Sequence, residues 1–306
     1  MVYENCLLCP RRCGVNRERG QRGFCGETAV LHLAFAGIHR GEEPPITGLG
    51  GSGTIFVSGC NLGCTFCQNF QISKEGLGKA VSQEEFAGIC LNLQKHGAEN
   101  INIVTGSHAA EALALGIIAA RKKGLSIPVL WNSSGYEGLE ILDILRDVVD
   151  VYLPDLKTLD REIAVRFFNA PNYGEYATAA ILKMMEYREL CLDGKMLSGV
   201  MVRHLVIPGF IESTRQVLAW FAQNCKGKAL LSLMTQYTPV GRDVKTPGRY
   251  ISEDEYNSVL SMLDEYGIDD GFCQELVTGS DWLPDFTWAN PFSSELSVPV
   301  WHYLKK

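Results

Sequence analysis

No run of about 18 or more apolar residues occurs in this 306-residue chain, so no segment offers a membrane-spanning helix. The amino terminus, MVYENCLLCPRRCG, has neither the apolar stretch nor the small-residue cleavage site of a secretory signal, and the expected location is cytoplasmic. Positive charge is scarce as well: 28 Lys and Arg stand against 35 Asp and Glu, a net charge of -7. That balance argues against nucleic acid and anionic membranes as partners. With 46% hydrophobic and 21% charged residues, the chain can build one large domain and a small appendage.

Cysteine, by contrast, is abundant. Eleven is a high count where thiols are kept reduced. Cys6, Cys9, Cys13 and Cys25 form CxxCx3Cx11C, and Cys60, Cys64 and Cys67 form CxxxCxxC. The scattered Cys90, Cys191, Cys225 and Cys273 read as small buried hydrophobes.

Residues 1–48 hold the first cysteine group, many Gly and Arg, and no long periodic segment, which suggests a small Cys-rich module organised by metal. Over residues 49–272 short apolar runs alternate with amphipathic segments. The runs are TIFVSG, INIVTG, IPVLWNSSG, VDVYLPDLK, VMVRHLVIPG and ALLSLMTQY. Between them lie helical patterns, two of which open on a capping box, Ser82 with Glu85 and Ser252 with Glu255. About six strand and helix units imply an α/β fold of parallel strands joined by right-handed crossovers, a partial (β/α)6 barrel rather than a closed eightfold one. Functional groups of such folds gather at the carboxyl ends of the strands, which here read SGC, TGSH, NSSGY, PDLK, VIPG and TQYTP. Residues 273–306, rich in Trp, Phe and Pro, read as a packing extension over one end of the barrel.

The loop SGCNLGCTFCQN follows the first of these strands and offers three thiols. Structural zinc and most electron-transfer clusters take four protein ligands, so three leave one coordination position open for chemistry. A [4Fe-4S] cluster held by three irons meets that description. CNLGCTFC, with the aromatic Phe66 before its last cysteine, resembles the signature of the radical S-adenosylmethionine (radical SAM) superfamily. NINIVTGSH, NSSGY, VDVYLPDLK, VRHLVIPG and MTQYTP, together with the amino-terminal CLLCPRRCGVNR and GFCG, resemble the pyruvate formate-lyase-activating-enzyme-like subgroup.

The resemblance implies a [4Fe-4S] cluster on Cys60, Cys64 and Cys67, and S-adenosyl-L-methionine (SAM) bound at its open iron. It also implies reductive cleavage to a 5'-deoxyadenosyl radical, an electron donor such as flavodoxin or ferredoxin, and hydrogen abstraction from a partner protein, as glycyl radical activases perform. Phe66, Cys67 and Gln68 are expected against the adenine side of SAM and Gly106 against the methionine amino group. Asp155, Leu156 and Lys157 match the segment that lines SAM, and Arg203 is a further cofactor-binding candidate. His204, its neighbour on the opposite strand face, reads as a core histidine. Two departures bear on substrate: TGSH stands where the family has a GGE turn, and Thr238 stands where activases carry a His. A small-molecule substrate is the alternative within the same chemistry. An iron-sulfur electron carrier or scaffold is the alternative outside it, and a loop of three cysteines speaks against it. Cys6, Cys9, Cys13 and Cys25 supply a complete set of four thiolates for a second metal centre, zinc or iron-sulfur.

Overall fold

The computed structural model describes residues 2–241, 244–280 and 282–305. An antiparallel pair, β1 (His32–His39) and β2 (Ser52–Val57), stands at one side of a single sheet, with the short β3 (Lys79–Ala80) against β1. From β2 the chain adds parallel strands in order: β4 (Ile101–Val104), β5 (Val129–Ser133) and β6 (Val151–Pro154). After the short β7 (Cys191–Leu192), β8 (Met196–Leu205), β9 (Leu230–Met234) and β10 (Gly271–Cys273) continue it. The carboxyl-terminal β11 (Ser297–His302) returns to pair antiparallel with β1. The order β10-β9-β8-β6-β5-β4-β2-β1-β11 has two free ends, so the fold is α/β with an open, mostly parallel barrel.

Two short helices, α1 (Pro44–Thr47) and α2 (Phe70–Ser73), flank β2 and its loop. The crossovers are α3 (Gln83–Lys95), α4 (Ala110–Lys122), α5 (Leu139–Leu145), α6 (Arg161–Phe168), α7 (Tyr173–Tyr187), α8 (Ile211–Asn224) and α9 (Glu253–Tyr266). Ser82 accepts from the Glu85 N–H at the start of α3, and the full capping box of Ser252 and Glu255 opens α9. Helix α6, which the sequence pattern leaves unmarked, starts on Asp160, whose carboxylate accepts from the N–H groups of Glu162 and Ile163.

Alternation along the strands divides the apolar residues between two cores. Ile103, Trp131, Tyr152, Val202 and Leu233 pack under the helices. Leu130, Val151, Leu153, Met201 and Leu230 face the inside of the barrel with Ile46 of α1. On the β1 side of the interior, Phe286 and Phe292 from the carboxyl-terminal stretch pack against Phe35 and Phe56.

Three expectations change. The segment before residue 48 contributes β1 to the sheet, and residues 273–306 contribute β11 as well as packing. Strand β1 escapes pattern reading because its six central residues are all buried, which leaves no period of two. Cys90 and Cys225 are buried and Cys273 is half-buried, but Cys191 is exposed on the edge hairpin of β7 and β8.

Candidate active site

The loop after β2 carries Cys60, Cys64 and Cys67, with Cys64 buried and the other two partly so. The Leu62 N–H points at Cys60 Sγ at 3.4 Å, and Cys67 Sγ lies 3.3 Å from Ser73 Oγ of α2. Burial pushes the Cys64 thiol well above its ordinary pKa, while the Lys157 ammonium opposes the shift; burial also raises Cys60. Phe66 anchors the loop. Its ring is buried, with centroids 5.6 Å and 6.0 Å from Phe167 and Phe168 of α6 and 5.8 Å from Tyr237 beyond β9. The ring is thus an aromatic anchor for the loop. Gln68 reaches across to the Gln236 carbonyl, 3.4 Å away.

The carboxyl end of β6 meets this loop. Asp155 and Lys157 pair with each other at 2.6 Å, both mostly buried. Burial alone would lower the Lys157 pKa, but the Asp155 carboxylate together with Cys64 and Tyr173 outweighs it and the net shift is upward, so the ammonium stays charged. Leu156 between them turns its side chain into the core under the helices, so it offers the site only backbone. Its N–H donates to the Arg203 carbonyl at 2.8 Å, and its carbonyl lies 2.7 Å from His204 Nδ1. A carbonyl only accepts, so Nδ1 carries the proton and Nε2 accepts from Thr214 Oγ1 of α8 at 3.0 Å. His204 is thus a satisfied core histidine that pins the Asp155–Lys157 turn from behind.

Neighbouring turns are fitted to the same spot. The Lys157 N–H donates to Tyr173 Oη, which lies 2.9 Å from both the Ser134 and the Asp155 carbonyls. Gly135, at φ +72°, has no room for a side chain, because a Cβ there would fall 2.1 Å from the Asp155 carbonyl oxygen. Asn61 of the cysteine loop donates to the Tyr136 carbonyl at 2.6 Å. Gly106, at the end of β4, is required by packing: a Cβ would meet the Trp131 ring at 2.6 Å.

Arg203 does not reach the Asp155–Lys157 pair. It faces the barrel interior, where its Nε donates to Glu43 at 2.9 Å and a second nitrogen pairs with Glu42. Both glutamates come from the stretch before α1, and Glu42 also accepts from Asn102. Arg203 is a buried ion-pair hub, its charge opposed by burial and held by Glu43 and Glu42. Thr238 is buried, its hydroxyl 3.4 Å from the Gly279 carbonyl.

Three groups at this rim carry no motif. Thr105, a β-branched residue, sits at φ +62° immediately before Gly106, a strained conformation of the kind that gathers at functional sites. Buried Glu137 accepts from Trp131 Nε1 at 2.6 Å and Ser107 Oγ at 2.8 Å, with its pKa raised by burial. Arg11 stacks on Phe24 at 3.7 Å and on Tyr136 at 5.3 Å. Only the positive φ of a β-branched residue could have been suspected, and only from a structure.

A family model described as the radical SAM superfamily matches residues 54–221, from β2 into α8. The chain belongs to the radical SAM superfamily. An uncharacterized protein of Methanocaldococcus jannaschii is 29% identical over 277 residues, covering 88% of this chain and 77% of that protein. Among solved structures, Streptococcus suis SuiB bound to S-adenosylmethionine shares the fold, with a TM-score of 0.52 at 14% identity over 71% of this chain and 48% of SuiB. The chain thus spans about half the length of SuiB. Methylornithine synthase (PylB) aligns with a TM-score of 0.49 at 14% identity, covering 80% of this chain and 73% of PylB.

The residues present suit the group that radical SAM members carry. Three thiols come from one loop at a strand's carboxyl end, walled by buried groups and facing a charged pair. Among the described residues no three His, Cys, Asp or Glu side chains converge as the ligands of a single ion do. A four-iron cluster takes its thiolates at separate corners and does not ask for that convergence.

Proposed function

We propose that this radical SAM protein holds a [4Fe-4S] cluster on Cys60, Cys64 and Cys67, binds SAM beside Asp155 and Lys157, and abstracts a hydrogen atom from a partner protein or peptide. The observation that carries the reading is the meeting of two elements: the buried Cys64 lies next to the Asp155–Lys157 pair, on the rim where parallel α/β folds place their chemistry. A cluster held by Cys60, Cys64 and Cys67 would supply the electron for reductive cleavage of SAM, the source of the hydrogen-abstracting radical.

The chain's own work is to bind, orient and exclude water. The three thiols give up their protons on metal binding, which offsets the burial that raises Cys60 and Cys64. Lys157 and Asp155 form a dipole suited to the opposite charges of the methionine moiety, and Tyr173, Gly135 and His204 fix the backbone that presents them. Phe66, walled by Phe167, Phe168 and Tyr237, keeps solvent from the back of the loop. A one-electron reductant of the flavodoxin or ferredoxin class completes the reaction.

A protein substrate is supported by the resemblance to activating enzymes and by the fold neighbour SuiB, which has been solved bound to its precursor peptide SuiA. Incubation of the reduced protein and SAM with deuterium-labelled cell extract tests this reading. Deuterium is expected to enter 5'-deoxyadenosine from the macromolecular fraction of the extract. Transfer from the small-molecule fraction alone would overturn the protein-substrate part.

A further inference from the structure

The four amino-terminal cysteines line one cavity, together with Arg11, Arg17 and Phe24. Little else organises the segment around them. Over residues 2–31 the regular structure is one three-residue 3-10 turn, Arg17–Arg19. The large apolar side chains it buries include Tyr3, Leu8 and Leu31. Ordering some thirty residues costs on the order of 1 kcal/mol or more of backbone entropy for each, which so small an apolar inventory does not offset. The backbone is nonetheless folded around the sulfurs. Cys6 N–H donates to Val15 and its carbonyl accepts from Gly14, both at 3.0 Å. The Arg12 N–H closes a turn on the Cys9 carbonyl at 3.0 Å, with Arg12 itself at φ +44°. The Phe24 N–H points at Cys13 Sγ at 3.3 Å.

This module is also the seat of the catalytic loop. Arg11, between Cys9 and Cys13, donates to the carbonyls of Asn61 and Leu62 in that loop, both at 2.9 Å. It donates as well to the carbonyls of Phe168 at 2.8 Å and Asn169 at 2.6 Å, where α6 ends. Two glycines of the loop, both at positive φ, lie against the module. A Cβ on Gly59 would fall 2.8 Å from the Cys25 carbonyl oxygen, and one on Gly63 would lie 3.1 Å from the Phe24 ring. Arg17 spans from the Glu27 and Thr28 carbonyls to that of His108, whose Nε2 donates to the Ser58 carbonyl at 2.7 Å.

We propose that Cys6, Cys9, Cys13 and Cys25, which line one cavity without converging on a single point, hold a second, iron-sulfur cluster whose binding folds residues 2–31 into the wall that seats the Cys60–Cys67 loop. Four thiolates fully ligate such a cluster, so this centre is structural or electron-transferring and leaves SAM to the three-cysteine loop. Arg11 and Arg17 offset part of the thiolate charge. The inference stands on residues distinct from the proposed catalytic cluster and does not require it.

The test uses the full chain carrying Cys60→Ala, Cys64→Ala and Cys67→Ala, purified without oxygen and checked for native circular dichroism. Metal analysis is expected to give about four irons per chain. Adding Cys9→Ser and Cys25→Ser is expected to remove that metal and to speed tryptic cleavage after Arg11, Arg12 or Arg19 on the order of tenfold, as local order is lost. Should that variant fail to fold, chelation of the metal from the triple variant gives the same protease readout. A folded triple variant without iron, or with one zinc in its place, overturns the proposal. Unchanged tryptic protection after the metal is lost overturns the claim that it orders the module. Separately, Cys9→Ser with Cys25→Ser in the otherwise natural chain is expected to keep about four irons on the other loop, so failure there is distinguishable from failure here.

Discussion

At the scale of single residues, Asp155 shows how context rewrites a reading. A carboxylate at a strand end suggests a residue of small consequence for folding. Here it is the partner of a buried lysine, and its removal strands the Lys157 ammonium beside Cys64. Asp155→Ala is expected to lower unfolding free energy in the SAM-free protein by about 3 kcal/mol, the cost of breaking a buried pair, and to weaken SAM binding as well. Urea denaturation without SAM checks it, and an unchanged midpoint would place the pair in solvent rather than in the core. His204 offers a second test. Burial holds it down to about 4, with Lys157 and Asp155 the charged groups nearby, against about 6.5 in the unfolded chain. The unfolded state therefore binds the extra proton, so stability is complete above about pH 6.5 and falls as pH drops toward 4, by about 3 kcal/mol in total. Measured on the metal-free protein, His204→Gln should show a shallower loss between pH 6.5 and 4.5; parallel curves would mean that His204 titrates normally.

Among the elements, the turns matter more than the strands they join. The turn after β5 and the end of β6 interlock so closely that Gly135→Ala forces both a Cβ into the Asp155 carbonyl and a side chain at φ +72°. The expected cost is more than about 3 kcal/mol, or loss of soluble protein. A thermal midpoint within a few degrees of the natural chain would contradict the packing described. Elements were legible where their signals are local. The capping signals at Ser82 and Ser252, the first formed only as an N-cap, and short apolar runs ending in Gly or polar residues mark α3, α9 and all the parallel strands except β10, because hydrogen bonds and burial there follow nearest neighbours in sequence. Strand β1 was not legible, since burial on both faces erases alternation. Helix α6 was missed because its cap, Asp160, lies so close to the Asp155–Lys157 segment that the stretch reads as loop. The partners of Arg11 are carbonyls 50 to 158 residues away, and nothing in the local sequence announces them.

Over the whole molecule, the open barrel brings one rim together from four directions: the cysteine loop, the β4 and β5 turns, the β6 end and the segment beyond β9. Sequence gave access to the three thiols and to the rim because spacing and strand order are one-dimensional facts. Side-chain direction is not a one-dimensional fact: Phe66 turns into an aromatic cluster, Leu156 into the helix-side core and Arg203 into an ion-pair hub. The central claim concerns the three cysteines. Its most direct measurement is 5'-deoxyadenosine formed from SAM by anaerobically reconstituted, chemically reduced protein, compared with Cys64→Ala under the same conditions. The account predicts steady formation by the natural chain and none above background by the variant, whose soluble fold is retained. Equal formation by both would contradict it.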